Sequence, residues 1–262
     1  MTDLPYAKKS LGQHWLTDTT VLETIANEAN VITGDHVLEI GPGAGTLTRT
    51  LLMRGADVTA VERDITLVTK LQRELPEVKI VSEDILKFNF SDIKGDYKIV
   101  ANIPYYLTSN LIRIISEAKN RPSVAVLLVQ KEVAERAAAQ PGSMSMLSVS
   151  AQFYWEVHLG VEVPARMFIP PPKVDSRTLI LKKRNQPLFN DVDEKQFFRL
   201  VKAGFSNRRK TLLNSLSGGL QMGKDEVREL LKSAELKETA RPQELSLKNW
   251  ESIYSIFVAK QG

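Results

Sequence analysis

The sequence feature that most constrains the fold is a short apolar run followed at once by three closely spaced glycines. Residues 37–40 predict a buried strand, and Gly41, Gly43 and Gly45 allow the backbone to turn tightly and to approach a ligand without an intervening side chain. Leucines then recur at helical spacing over residues 46–52. A strand, a glycine loop and a helix in this order predict the first unit of a doubly wound α/β sheet.

Two carboxylates beside this loop indicate which ligand it holds. Glu39 precedes the first glycine, and Glu62 ends the next predicted strand, where an acid can bind the hydroxyls of a ribose. A dinucleotide would bring a pyrophosphate that Glu39 repels, and its fingerprint requires a glycine where this chain has Thr46. S-adenosylmethionine carries an ammonium and a sulfonium and no phosphate. We therefore expect S-adenosylmethionine as the cofactor, with a dinucleotide or a purely structural turn as the alternatives.

Composition excludes several kinds of chemistry. The 262 residues suffice for a large domain and a small one, and 35 Lys and Arg against 31 Asp and Glu give a formal charge of +4, which permits a nucleic-acid partner without requiring one. There are no cysteines, and the three histidines lack the spacing of metal ligands. The longest apolar run, residues 124–129, is too short to span a bilayer. We expect a cytoplasmic protein without a signal peptide, a membrane contact or a metal.

Polar residues follow the strands of the predicted sheet. Further strands are predicted at residues 58–61, 78–81, 97–101 and 124–129. The polar residues at strand ends are Glu39, Glu62, Asp84 and Asn102. Ligands bind outside the carboxyl ends of the strands in open α/β sheets, so these four residues predict one ligand site. Asp84 has two interpretations, as the cap of a turn or as an acceptor for the amino group of the cofactor's adenine.

The tetrapeptide from Asn102 to Tyr105 indicates the reaction. The amino nitrogen of adenine is a poor nucleophile, and a site that methylates it must accept both of its N–H hydrogens. The Asn102 side-chain oxygen supplies one acceptor, and the backbone carbonyl of Ile103, held extended by Pro104, supplies the second. Tyr105 and Phe168 can stack on the base, which must be unpaired or flipped out of a helix. The alternative is an ordinary turn with Tyr105 and Tyr106 in the core, and for Phe168 the alternative is a plain core phenylalanine.

The remaining segments carry weaker signals. The basic and aromatic leader at residues 8–16 is either a frayed tail or part of the ligand site. Residues 149–162 are expected to form a bent antiparallel hairpin. After a linker at residues 182–187 the pattern is wholly helical, and the glycine pair at 218–219 is expected to end a pair of helices.

With the leader, the glycine loop, Asn-Ile-Pro-Tyr and the Phe-Ile-Pro-Pro-Pro-Lys-Val-Asp-Ser loop at 168–176 in view, the chain resembles the small-subunit rRNA adenine dimethyltransferases of the KsgA type from residue 9 to the helical tail. We accordingly expect an α/β protein with a Rossmann-like S-adenosylmethionine-dependent methyltransferase fold. Its sheet is mostly parallel and doubly wound, with an antiparallel final strand. This domain spans residues 1–184, and a small all-helical RNA-binding domain spans residues 185–262.

The resemblance also implies the activity. It implies transfer of two methyl groups to the N6 atom of each of two adjacent adenosines in the 3′-terminal hairpin loop of 16S rRNA, within the small (30S) subunit or its late precursor. Three alternatives stay open at this point. They are a large-subunit rRNA adenine-N6 methyltransferase of the macrolide-resistance type, a non-enzymatic RNA-binding assembly factor, and a nicotinamide-dependent oxidoreductase. A monomer is expected.

Residue roles follow from the loop and the resemblance together. The expected cofactor-binding residues are Gln13, His14, Leu16, Glu39, Gly41, Gly43, Glu62, Asp84 and Asn102. The expected catalytic residues are Asn102, Pro104, Tyr105 and Phe168. The cations Arg208, Arg209 and Lys210 resemble part of the family's tail motif and are expected to contact RNA phosphates, the alternative being a solvated helix face. The family's leader usually reads Gln-Asn-Phe-Leu, so His14 departs from its pattern.

Overall fold

The computed structural model describes residues 4–8, 11–207 and 209–260. The chain divides into two compact units. The first comprises Met1–Glu135 and Trp155–Lys183 and is called the α/β unit below; the second comprises Arg136–Tyr154 and Arg184–Gly262 and is called the helical unit. Among the described residues, no helix is both long enough and apolar enough to cross a membrane.

Strands and helices follow one another over residues 15–183. In chain order they are β1 (Trp15–Leu16), α1 (Thr19–Glu28), β2 (His36–Ile40), α2 (Thr46–Met53), β3 (Asp57–Glu62), α3 (Ile65–Glu74), β4 (Lys79–Ser82), β5 (Lys98–Asn102), α4 (Thr108–Glu117), β6 (Val124–Gln130), α5 (Lys131–Ala137), α6 (Met146–Tyr154), β7 (Trp155–Val163), β8 (Phe168–Ile169) and β9 (Ser176–Lys183). The later helices are α7 (Glu194–Gly204), α8 (Leu212–Leu220), α9 (Lys224–Ser233) and α10 (Leu247–Ala259).

The main sheet has the strand order β4-β3-β2-β5-β6-β9-β7. The pairs from β4 to β6 are parallel, and β9 runs antiparallel to both β6 and β7. The predicted mostly parallel sheet with an antiparallel final strand is therefore confirmed. The chain winds outward in both directions from β2 and β5, so the loops after these two strands diverge and leave a crevice at their carboxyl ends.

Burial explains why the central strands form where the sequence predicts them. Residues 124–129 of β6 are buried throughout, as expected for a strand covered on both faces of a parallel sheet. The side strand β1 pairs antiparallel with β8, joining Trp15 to Ile169 and Leu16 to Phe168. The leader is thus tied to the proline-rich loop more than 150 residues later in the chain, by this strand pairing and by a side-chain bond from His14 to the Pro170 carbonyl.

Two sequence-based expectations about local structure were wrong. Residues 149–162 are not a hairpin, because helix α6 runs to Tyr154 and strand β7 starts at Trp155. The ring of Phe153 packs within 5.0–6.0 Å, centroid to centroid, of Phe189, Phe197 and Phe198. This aromatic packing places residues 136–154 in the helical unit, whereas the sequence-based division assigned them to a domain spanning 1–184.

The second expectation concerned the glycine pair, which does not end a helix. Gly218 and Gly219 both lie inside α8. A Cβ atom at Gly219 would lie 2.7 Å from the Cβ and 2.9 Å from the Cα of Ala203 in α7, whereas nothing lies within 4 Å of a Cβ at Gly218. Gly219 therefore serves close packing of α7 against α8, and Gly218 has no such role.

This difference predicts opposite effects of the same substitution at neighbouring positions. We expect Gly219→Ala to be destabilising overall, because overpacking costs about 1–3 kcal/mol. Gly218→Ala should stabilise the protein by about 0.5–1 kcal/mol, since alanine is the better helix former and meets open space. Urea denaturation of both full-length variants measures the difference. Equal effects of the two substitutions would contradict the packing argument.

Candidate active site

A cavity opens at the carboxyl ends of β2, β3 and β5, in the crevice that the strand order creates. It encloses about 1020 Å³ of space, including its open mouth. The residues predicted to bind the cofactor or the target base all line it, namely Gln13, His14, Leu16, Glu39, Gly41, Gly43, Glu62, Asp84, Asn102, Pro104, Tyr105 and Phe168. The described part of the chain contains no cluster of three or more His, Asp or Glu residues suited to a metal.

The glycine loop has the backbone conformation that its composition predicts. Gly41, Gly43 and Gly45 all have positive φ angles, between 58° and 75°. A Cβ at Gly43 would lie only 2.5 Å from Cζ3 of Trp15, so the indole ring occupies the place where a side chain would stand. Glycine at this position is therefore required twice, by the backbone angle and by the packed ring.

Glu39 is the most unusual ionisable group in the cavity. Its side chain is 1% exposed, and Oε2 has no hydrogen-bond partner among the described residues. Burial raises the pKa of this carboxyl to about 8, the Thr48 hydroxyl acts in the opposite direction, and the nearby charge of Glu62 raises the pKa further. The carboxyl is therefore protonated at neutral pH, and an approaching cation favours its ionised form. The ammonium and sulfonium of S-adenosylmethionine supply such a cation, and a pyrophosphate does not.

Glu62 is also buried, but its carboxylate is hydrogen-bonded. Oε1 accepts from the backbone N–H of Asp64 at 2.7 Å, and Oε2 accepts from the backbone N–H of Gly43 at 3.3 Å. Burial raises the pKa of Glu62, and these backbone bonds oppose the shift. Each carboxylate oxygen keeps a second lone pair, which leaves acceptor capacity for ribose hydroxyls.

Asp84 caps a turn, which is one of the two roles that the sequence left open. Its Oδ1 accepts from the backbone N–H of Leu86 at 3.0 Å, which caps the turn after β4. Its Oδ2 lies 3.5 Å from Nη1 of Arg63 at the cavity wall. One oxygen therefore holds the turn, and the other faces a mostly exposed guanidinium; the role as an acceptor for adenine stays a prediction.

Asn102 is oriented by the leader. Its amide Nδ2 donates to the backbone carbonyl of His14 at 3.3 Å, so Oδ1 is the side-chain atom left to accept a hydrogen bond. Pro104 follows with φ −56° and ψ 132°, an extended conformation that ends in the short 3-10 turn Tyr105–Leu107. The acceptor oxygen and the aromatic turn are thus separated by two residues of fixed backbone.

The aromatic walls are held from different sides. The Tyr105 hydroxyl shares a hydrogen bond of 2.8 Å with the buried Ser176 hydroxyl. The Tyr105 and His14 rings are stacked at 6.1 Å between centroids, and Nδ1 of His14 donates to the carbonyl of Pro170 at 2.7 Å. Phe168 is only 2% exposed and belongs both to the core and to the cavity wall.

The leader is built into the site, which the sequence left undecided. Lys8 Nζ lies 2.8 Å from Asp64 Oδ1, Gln13 Nε2 donates to Asp64 Oδ2 at 3.3 Å, and Gln13 Oε1 accepts from the Lys8 backbone. Burial acts to raise the pKa of Asp64, but the bonds from Lys8 and Gln13 hold it below its ordinary value. Both polar ends of the Gln13 side chain are therefore engaged in anchoring the leader.

Sequence reasoning missed Trp15 and Asp64 as parts of the site. The indole Nε1 of Trp15 donates to the Pro5 carbonyl at 2.8 Å, and its ring covers Gly43. Asp64 also caps α3 by accepting from the Thr66 backbone N–H. The contacts that tie them to the site, Trp15 with Gly43 and Asp64 with Lys8 and Gln13, join segments that are distant in the chain, so no local pattern could have identified them.

The predicted RNA-binding cations lie outside this cavity, in the helical unit. Arg209 and Lys210 are exposed in the turn between α7 and α8, where their backbone N–H groups bond to Asn207, rather than on a helix face. Arg208 lies outside the described residues. No acidic residue in the described ranges forms an ion pair with Arg209 or Lys210.

The contact of Trp15 with Gly43 predicts a larger penalty than backbone strain alone. Gly43→Ala and Gly34→Ala both place alanine at a positive φ, but nothing lies within 4 Å of a Cβ at Gly34. We expect each variant to lose about 1 kcal/mol for the backbone angle, and Gly43→Ala to lose a further ~1–3 kcal/mol by displacing the ring. Urea denaturation measures this difference.

Tryptophan fluorescence provides a second measurement of the same displacement. Trp155 and Trp250 are fully buried, so a red shift in native Gly43→Ala reports on Trp15. Equal stability of the two alanine variants, with unchanged emission, would contradict the packing of Trp15 on the loop.

The raised pKa of Glu39 predicts a pH-dependent stability. The folded chain binds this proton up to about pH 8, and the unfolded chain releases it near pH 4.5. Between these values the folded state binds more protons, so the free energy of unfolding falls as the pH rises through this window. Glu39→Gln should remove this fall, which is on the order of 4–5 kcal/mol.

Urea denaturation at several values from pH 5 to pH 8.5 tests this, with exposed Glu77→Gln as the control. The stability of the Glu39→Gln variant relative to wild type should rise with pH, and that of the control should not. Parallel pH profiles for wild type and Glu39→Gln would show that Glu39 is not protonated in the folded chain.

The chain is similar to known proteins over nearly its whole length. Residues 6–259 match the model of the family described as Ribosomal RNA adenine dimethylase. A relative from Dehalococcoides mccartyi, named Ribosomal RNA small subunit methyltransferase A, is 41% identical over 257 residues, which cover 96% of this chain and 88% of that protein.

Two solved structures are similar in fold and in extent. A dimethyladenosine transferase from Plasmodium falciparum has a TM-score of 0.80 at 26% identity, covering 95% of this chain and 98% of that chain. The 23S rRNA methyltransferase ErmE has a TM-score of 0.73 at 27% identity, covering 92% and 98%. Because the family model matches almost every residue and the relative is well above 30% identical, the chain belongs to the ribosomal RNA adenine dimethylase family.

Proposed function

We propose that this chain uses S-adenosylmethionine to dimethylate the N6 atoms of two adjacent adenosines in the 3′-terminal hairpin loop of 16S rRNA, acting as a monomer on the small subunit or its precursor. The observation that carries the proposal is the free Oδ1 acceptor of Asn102 at the rim of a cavity lined by buried acids. The name of the 41% identical relative favours the small subunit over the large one.

The acids at the strand ends hold the cofactor. Glu39 faces the cationic amino acid portion, Glu62 accepts from the ribose hydroxyls, and Asp84 accepts from the adenine amino group. When bound, S-adenosylmethionine supplies a methyl group on a positively charged sulfur. Gly41 and Gly43 let the backbone approach it, and the anchored leader residues Gln13, His14 and Leu16 close the remaining side. The cavity is lined by four acids, Glu39, Glu62, Glu83 and Asp84, and by the cation Arg63, a balance that disfavours a phosphate.

The target base is bound at the end of β5. Asn102 Oδ1 accepts one N–H of the adenine amino group, and the Ile103 carbonyl, aimed by Pro104, accepts the other. Both bonds would strengthen as the nitrogen leaves conjugation and gains positive charge during methyl transfer, so they would stabilise the transition state more than the ground state. The methylated nitrogen would then release one N–H proton to water. Tyr105 and Phe168 stack on the base and fix its orientation.

The helical unit contributes the contact with the rRNA backbone. Arg209 and Lys210 project from an exposed turn and have no acidic partner among the described residues, and Arg208 adjoins them in the sequence. Unpaired cations in a turn are free to replace the counterions of phosphates. We assign the RNA-binding role to residues 185–262, with this turn as its centre.

Loss of the Asn102 acceptor should abolish methylation and leave binding largely intact. We expect Asn102→Ala to lower the rate of dimethyladenosine formation by about 10²–10³-fold, the usual cost of removing one transition-state hydrogen bond. Affinity for S-adenosylmethionine and for small subunits should change much less. Exposed Asn110→Ala, on the following helix, is the matched control.

The assay compares undermethylated small subunits, large subunits and free rRNA, each incubated with labelled S-adenosylmethionine. Label is expected in N6,N6-dimethyladenosine of the small subunit with wild type and with Asn110→Ala. Label confined to the large subunit would support the macrolide-resistance alternative. RNA binding without any label would leave the chain a non-enzymatic assembly factor.

A further inference from the structure

Tyr106 is an aromatic residue that the fold leaves largely exposed. It lines the cavity beside Tyr105, yet its side chain is 57% exposed. No hydrogen bond from the described residues engages its hydroxyl, whereas the hydroxyl of Tyr105 is bonded to Ser176. An exposed tyrosine without a polar partner, at the rim of a base-binding cavity, is available for stacking on a ligand.

One edge of the ring faces the leader. A Cβ built on Gly12 would lie 3.7 and 3.8 Å from Cε1 and Cδ1 of Tyr106, and 3.5 Å from Cβ of Pro104. Because glycine has no Cβ, the leader leaves space beside this edge of the ring. The largely exposed ring is therefore available to a flat partner.

The proposed reaction supplies such a partner. An adenosine flipped into the cavity leaves the next nucleotide without its stacking neighbour. Tyr105 and Tyr106 both line the cavity, so a platform at Tyr106 borders the same opening as the wall that Tyr105 offers to the target base. We infer that Tyr106 binds, by stacking, the adenine adjacent to the target, and this inference rests on the proposed function.

This role makes Tyr106 a substrate-binding residue and not a catalytic one. A stacking contact corresponds to about 5- to 150-fold in affinity. Tyr106→Ala should therefore raise the KM for small subunits about tenfold, with kcat and the Kd for S-adenosylmethionine within twofold of wild type. Tyr106→Phe and Tyr106→Trp should restore the wild-type KM, since both keep an aromatic face. Met53→Ala, an exposed apolar residue outside the cavity lining, is the control.

An abasic substrate isolates the stacking contribution. Small subunits are reconstituted with rRNA that carries an abasic nucleotide at one of the two adenosines, and methylation of the other is measured by mass spectrometry. For wild type and Met53→Ala, the KM for this substrate should be about tenfold higher than the KM for normal particles. For Tyr106→Ala the two KM values should be equal, because this variant has already lost the stacking contact with the missing base.

The outcomes separate the two proposals. An unchanged KM for Tyr106→Ala on normal particles would overturn the inference while the proposed function stands. An equal rise in KM on the abasic substrate for wild type and Tyr106→Ala would also overturn the inference while the proposed function stands. Absence of dimethyladenosine from wild type on normal particles would overturn the proposed function, and the inference with it.

Discussion

The packing of the Trp15 ring on the bare backbone of Gly43 is the contact on which the geometry of the site depends. The ring can lie there only because the loop residue has no side chain, and its position fixes the leader strand over the glycine loop. Once the leader is fixed, the His14 carbonyl stands where the Asn102 amide can donate to it. A side chain at the end of β5 is thus oriented by a segment that precedes β2, and the acceptor oxygen faces the cavity as a consequence.

Most of the site follows from one regularity of the fold, and for that reason it could be predicted. Parallel strands bring their carboxyl ends to one edge of a sheet. Glu39, Glu62, Asp84 and Asn102 each stand at such an end, so locating the strands sufficed to place the four side chains in one cavity. The chemistry of the cofactor followed from the charge of the acids, because a buried carboxylate such as Glu39 is stabilised by a cation and destabilised by a phosphate.

What the sequence did not reveal depends on contacts between distant segments. The aromatic run at residues 153–155 favours a strand by composition, yet α6 persists to Tyr154 because Phe153 packs among the phenylalanines of residues 189–198. From the sequence Gly219 is expected to end a helix, but in the structure it packs against Ala203. The pairing of Lys8 with Asp64 spans 56 residues of sequence. Local propensity and periodicity contain no information about such partners, and these are the places where tertiary packing overrides them.

The adjacent tyrosines show how consecutive residues of a short 3-10 turn take different roles. In a 3-10 turn each residue is rotated by about 120° from the last, so consecutive side chains cannot share a face. Tyr105 turns inward to Ser176, Leu107 is buried, and Tyr106 is left facing the mouth of the cavity. A continuous strand would have put Tyr105 and Leu107 on one face and Tyr106 on the opposite side of the sheet. Ending β5 at Asn102 and entering a tight turn is therefore what allows two successive rings to border a single opening, one as its wall and one as its rim.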